Sequence, residues 1–308
     1  MIYLTGATGH IGNNLARKLE QRNIDFKILA RAVSTPIEKF VEKTIIGDIF
    51  SYDFLDNNLK SGDILIHLAA YINLKNNQAE LTQKINYEGV KMIVDFCVLK
   101  NVYLVFSSSV DAIYTDNYLV TEPDKLIMDD NAGLYQKTKA LATNYLLDKI
   151  NYGTIKAMIV YPSAVIGIND FKPSAVGKEI KKCFKRKLCL YFHGGYNFID
   201  VEDVAEAIIN GIQKDITGSF ILSGHYVSLY DMYQLIFKTV NRKVLMVKIP
   251  IFLIKLITRL IPKYRIMINA LLSEHNYDNK AMIEKLGVNP KPVSSSLNNM
   301  VNWFKEVE

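Results

Sequence analysis

Cysteine is scarce in this chain. Its three cysteines, Cys97, Cys183 and Cys189, stand at irregular spacings that suit neither a disulfide framework nor a metal cage, so the sequence points to a reducing compartment and to no bound metal. A charged n-region followed by an apolar h-region is missing as well. The first apolar strand begins at about Ile2 and a glycine loop follows at once, so removal of a leader would remove that loop, and the expectation is a cytoplasmic protein. No apolar run is long and unbroken enough to span a bilayer. The most apolar stretch, residues 250–272, is interrupted by Lys255, Arg259, Pro262, Lys263 and Arg265. It is expected to form substrate-lobe helices packed on the core, walling a pocket; a helix lying on a membrane surface is the alternative, and no membrane partner is expected. Nor does any internal repeat or low-complexity linker divide the chain. The net charge of +6 comes from lysines spread along the sequence, with one dense basic run at residues 178–187. That run lacks interleaved aromatics and reads as a solvated helix face, so no nucleic-acid partner is expected.

What is present is an alternation of short apolar runs with helix-period segments. Strands are expected at residues 2–4, 26–29, 44–46, 64–68, 103–107, 156–160 and 219–222, and helices at 11–21, 84–99 and 135–150. Continuous apolar strands between helices predict an α/β fold, a doubly wound parallel sheet of Rossmann type covered on both faces, with ligand at the carboxyl ends of its strands. Residues 1–160 with 200–224 would form the nucleotide-binding domain. Residues 161–199 with 225–308 would form a smaller, interleaved substrate lobe.

Residues 5–12 read Thr-Gly-Ala-Thr-Gly-His-Ile-Gly directly after the first strand. Gly6 permits the tight turn, Gly9 clears the backbone for a pyrophosphate, and Gly12 lets the helix approach the sheet; Thr8, His10 and Ile11 complete the loop. Tyr135 and Lys139, four apart at the start of a helix, share one face. A nearby ammonium favours phenolate, so Lys139 is expected to lower the Tyr135 pKa toward a useful range. Ser107, Ser108 and Ser109 end the fifth strand, where Ser109 could donate to a substrate carbonyl and Ser107 caps the strand, with Ser108 open to either role.

These pieces, with Gly47-Asp48, residues 67–70 (His-Leu-Ala-Ala), Asn86 with Gly89, residues 162–167, residues 197–205 and residues 278–281, resemble the extended short-chain dehydrogenase/reductase family of NAD(P)-dependent epimerase/dehydratase type. The likeness covers nearly the whole chain. It runs most closely to dihydroflavonol-4-reductase-like bacterial members, through residues 162–167, 170–173 and 194–200. The resemblance implies that Asp48 and Ile49 flank the adenine, and that Leu68, Ala69 and Ala70 line the nicotinamide ribose. Asn86, Ser107, Tyr161, Pro162 and Ser163 would complete the cofactor site. Ser109, Tyr135 and Lys139 would form the catalytic set, with Lys139 also holding the ribose; His67, Asp200 and Asp203 would be structural. Sugar dehydratases of the family follow the active-site hydroxyl with Asp-Glu, whereas this chain has Val110-Asp111, and Ile113-Tyr114 replaces the usual Tyr-Gly.

The second strand ends at Ala30-Arg31, where NAD-using sugar epimerases of the family carry Asp. Arg31 can pair with a 2′-phosphate and Ser34 can add a second donor, so NADP(H) is the expected cofactor and NAD(H) the alternative. The expected reaction is NADPH-dependent reduction of an apolar or aromatic aldehyde or ketone, with Tyr135 as proton donor. An NAD-dependent nucleotide-sugar epimerase is the alternative, and a non-catalytic NADP(H)-sensing or scaffolding protein a third. The helices at 84–99 and 135–150 look apolar over more than one stripe, with Leu141, Tyr145 and Leu146 away from the Tyr135 edge, which implies a homodimer.

Overall fold

In the two central strands, β5 (Tyr103–Ser107) and β7 (Ala157–Pro162), every residue is buried. Successive side chains point to opposite faces of a sheet. Tyr103, Val105, Met158 and Val160 accordingly enter one core, while Leu104, Phe106, Ala157, Ile159 and Tyr161 enter another on the opposite side. The computed structural model describes all residues except 73–77, 115–116, 123–124, 130–131, 262–264 and 308, and only the backbone of Ile266 and Met267. Pro262 and Lys263 thus lie outside the described residues.

The other strands of the main sheet are β1 (Ile2–Thr5), β2 (Phe26–Ala30), β3 (Thr44–Ile46), β4 (Ile64–His67) and β11 (Gly218–Leu222). All seven run parallel in the order β11-β7-β5-β4-β1-β2-β3. The order reverses between β1 and β4, so a crevice opens at their carboxyl ends. Helices α1 (His10–Gln21) and α7 (Val201–Gln213) cover the first face, where Lys18 and Arg22 both reach Glu206. The second face is covered through α2 (Tyr52–Asn58), α3 (Ala79–Gln83), α4 (Gly89–Lys100) and α5 (Leu134–Asn151).

Short strands β6 (Leu119–Val120), β8 (Ala164–Ile166), β9 (Leu188–Tyr191), β10 (Gly195–Asp200), β12 (His225–Ser228), β13 (Leu245–Lys248) and β14 (Asn276–Tyr277) form small sheets, including β12-β10-β8. Helices α6 (Ala175–Cys183), α8 (Leu229–Thr239) and α12 (Val293–Val307) close a third core around Ile180, Phe198, Phe237, Leu297 and Phe304. By contrast α11 (Lys280–Glu284) returns to the main sheet, with Met282 and Leu286 in the core of the α1 face.

Three expectations are corrected. The helix expected at 84–99 is interrupted by a π-helical turn, Lys84–Glu88, between α3 and α4; such turns collect at functional positions. Leu146 is fully buried in the core beneath α5 and cannot belong to an outer face. Residues 250–272 divide into α9 (Ile251–Leu260) and α10 (Arg265–Leu272), and of the α9 side chains only Ile254 is buried. Most of α9 is therefore not packed on a core.

The turn after β1 admits no side chain at Gly6. Its φ is 76°, and a Cβ there would stand 2.6 Å from the Ala69 nitrogen and from the Leu68 carbonyl carbon. Gly6→Ala combines left-handed strain with a backbone clash, and should cost about 2–5 kcal/mol in a denaturant melt run without nucleotide.

Candidate active site

The sequence-expected residues gather at the carboxyl edge of the main sheet: the glycine loop after β1, Arg31 after β2, Asp48 after β3, residues 68–70 after β4, Ser107 to Ser109 at the end of β5, and Ser163 after β7. A Cβ on Gly12 would lie 2.4 Å from the Gly6 carbonyl oxygen, so the third glycine brings α1 against the loop itself. Gly9 is the N-cap of α1, no side chain caps it, and the first turn carries no acid. Free helix N–H groups with a positive dipole end suit a phosphate. Unpaired buried hydroxyls stand at Ser34 and Ser163. Together these features fit a nicotinamide dinucleotide along the edge, with Arg31 exposed at one end.

Other residues expected at the cofactor also make contacts within the chain. His10 bonds the Ile168 carbonyl through Nε2 at 3.0 Å, and Asn14 donates to the same oxygen at 3.0 Å, so loop and α1 are tied to the turn after β8. Burial lowers the His10 pKa, which leaves the ring neutral. Asp48 accepts from the Phe50 N–H at 3.0 Å, and Ile49 joins the core of the α4 face. Asn86, on the π turn, clamps Tyr71 through both backbone groups, at 2.8 and 2.9 Å. Its carboxamide is thereby spent on the chain after β4. The Tyr161 ring is fully buried, and Pro162 beside it is buried too, so neither side chain lines an open cofactor edge.

Lys139 is 2% exposed and donates to the Ser107 carbonyl at 2.6 Å. Its ammonium stands 4.8 Å from the Phe106 ring centroid, and burial lowers its pKa to about 7. Ser108 and Thr143 share a hydrogen bond of 2.7 Å, a second tie between β5 and α5. Ser109 caps the short turn Val110–Ala112 by accepting from the Asp111 N–H at 3.2 Å, and its hydroxyl also hydrogen-bonds the Asp111 carboxylate, which opposes the rise of that group's pKa. Tyr135 accepts from Thr138 at 3.1 Å through its carbonyl, while its hydroxyl has no hydrogen-bond partner among the described residues. Contrary to the expected lowering, its pKa is raised, first by desolvation and then by the Asp111 carboxylate. His67 is structural: Thr5 bonds its Nδ1 at 2.9 Å, its ring stacks on Phe106, and burial with the Lys139 charge lowers its pKa to about 3. Asp200 caps α7 and Asp203 accepts from the Lys291 N–H, so both are architectural.

A cavity of about 300 Å³ adjoins these groups, bounded by Val110 and Asp111 after Ser109 and by Gly133 and Gln136 beside Tyr135. Asp111, Tyr196 and Tyr277 form a polar cluster in its wall that the sequence did not reveal. Tyr196 donates to Asp111 at 2.6 Å, and burial raises the Asp111 pKa against that bond. Of residues 250–272, Asn269 and Ala270 on α10 line the cavity and no α9 residue does.

The sequence profile of the NAD dependent epimerase/dehydratase family matches residues 2–220. A putative dihydroflavonol 4-reductase of Synechocystis sp. is 26% identical across 98% of this chain and 94% of that protein. Sterol demethylase protein B of Methylococcus capsulatus is 23% identical across 98% of both. The crystal structure of gox2253 superposes with a TM-score of 0.83 at 25% identity, covering 100% of this chain and 98% of that one. Loop, sheet order and profile agree: the chain belongs to the NAD dependent epimerase/dehydratase family, within the extended short-chain dehydrogenases/reductases.

Proposed function

We propose that the protein reduces an apolar or aromatic aldehyde or ketone with NADPH. The observation that carries this reading is the placement of Tyr135 beside Gly133 and Gln136 of the cavity wall and near Asp111, where its phenol, protonated at neutral pH, can give a proton to a carbonyl oxygen. The Ser109 hydroxyl, released from Asp111 when substrate binds, polarises the same oxygen. Buried Lys139, anchored on Ser107, supplies hydrogen-bond donors beneath the site and holds ribose hydroxyls. Bound along the sheet edge, the reduced dinucleotide supplies the hydride. Residues 1–160 with 200–224 bind it and residues 161–199 with 225–308 bind the substrate, with α11 as a strap from the second group onto the first.

Arg31 and the unpaired Ser34 hydroxyl support NADPH over NADH, with no acid at Ala30 to repel a 2′-phosphate. The nucleotide-sugar epimerase alternative fits the cavity less well. A diphosphate asks for convergent cations, whereas no Lys or Arg lines the cavity among the described residues and Asp111 does. Lys255 and Arg265, which could have served, are exposed. The name of the sterol demethylase relative agrees with a lipophilic substrate. A homodimer through α4 and α5 belongs to the same reading, with Leu99 exposed and Leu141 half-buried.

Tyr135→Phe should lower turnover about 10²–10⁴-fold while NADPH binding, read by fluorescence, stays intact. Undiminished turnover would remove Tyr135 from the chemistry. In the same titration Arg31→Ala should cut the NADPH-to-NADH affinity ratio by about tenfold or more; an unchanged ratio contradicts the phosphate assignment. Light scattering at micromolar concentration should give twice the chain mass, and a monomer mass removes the dimer.

A further inference from the structure

In the small sheet of β9 and β13, Leu188 pairs with Leu245 and Leu190 with Val247. The pleat turns Cys189 into the third core and leaves these four outside, at 48, 68, 53 and 40% exposure. Two residues beyond β13, α9 begins. Phe252, Leu256 and Leu260, spaced one turn apart along one stripe, are 69, 51 and 71% exposed, while Ile254 anchors the opposite side. Lys255 and Arg259 run beside that stripe at the same spacing, and Lys185, Lys187, Lys243 and Lys248 stand exposed around the sheet. No Asp or Glu occurs between Arg242 and Arg265. Apolar exposure on this scale, on two elements joined only by Ile249 and Pro250, marks an interaction surface.

Its charge selects the occupant. A second copy meeting this face symmetrically would set lysine against lysine. No described helix is long and apolar enough to cross a membrane, which leaves α9 at the interface. We propose that the outer face of β9 and β13 together with α9 docks on an anionic lipid bilayer: the leucines and Phe252 enter the acyl boundary while the flanking cations meet acidic headgroups. Because α10 packs on α9 and carries Asn269 and Ala270 into the cavity wall, docking sets the cavity beside lipid. The inference does not depend on which reaction is catalysed.

The test is co-sedimentation of the full chain with vesicles of phosphatidylcholine mixed with phosphatidylglycerol, against vesicles of phosphatidylcholine alone. Binding should require phosphatidylglycerol and weaken with salt. Two surface variants, Phe252→Ser/Leu256→Ser/Leu260→Ser and Lys248→Glu/Lys255→Glu/Arg259→Glu, should each reduce it about tenfold or more with an unchanged circular dichroism spectrum. No binding of the native chain, binding equal on both vesicles, or binding indifferent to both variants overturns the proposal. So does a native oligomer in light scattering that the serine variant dissociates, because the face would then be an interface between copies.

Discussion

A buried ammonium organises the site. Lys139 can hold its charge in the interior only where oxygen accepts its protons, and the Ser107 carbonyl provides that acceptor at the end of the central strand. The bond fixes α5 against β5, and the Ser108–Thr143 pair fixes it again one residue on. The groups proposed to react hang from those two ties: Tyr135 one turn before Lys139, Ser109 two residues after Ser107, and the cavity that their neighbours bound. The same burial that lowers the amine raises the phenol, so one environment sets both protonation states in opposite senses.

The main sheet was legible because its signals are local. Continuous apolar runs such as residues 103–107 and 157–160, short and set between helix-period segments, read as buried strands, and backbone contacts hold Gly6 and Gly12 to glycine. Orientation was less accessible. Leu146 and Leu141 look alike in a helix that is apolar on several sides, and only the position of β5 and β7 decides that Leu146 faces inward. Asn86 reads as a motif residue, while its clamp on Tyr71 depends on a π turn that no periodicity announces.

The missing part of the site is tertiary. Asp111, Tyr196 and Tyr277 come from a turn after β5, from β10 and from β14, and nothing in their spacing joins them. The expectation of a lowered Tyr135 pKa failed for a related reason. Sequence supplies the neighbouring lysine, but the desolvation and the facing carboxylate that outweigh it come from the fold. In α9, hydropathy alone suggested burial, whereas exposure depends on whether a neighbouring element arrives to cover the stripe.

The Ile168 carbonyl receives both His10 and Asn14, and Asn169 in turn donates to the Asn14 carboxamide oxygen at 2.9 Å. The first turn of α1 and the turn that leads out of β8 are thereby one mechanical unit, although 154 positions separate Asn14 from Ile168 in the chain. Strain applied at either turn therefore reaches the other through that single oxygen.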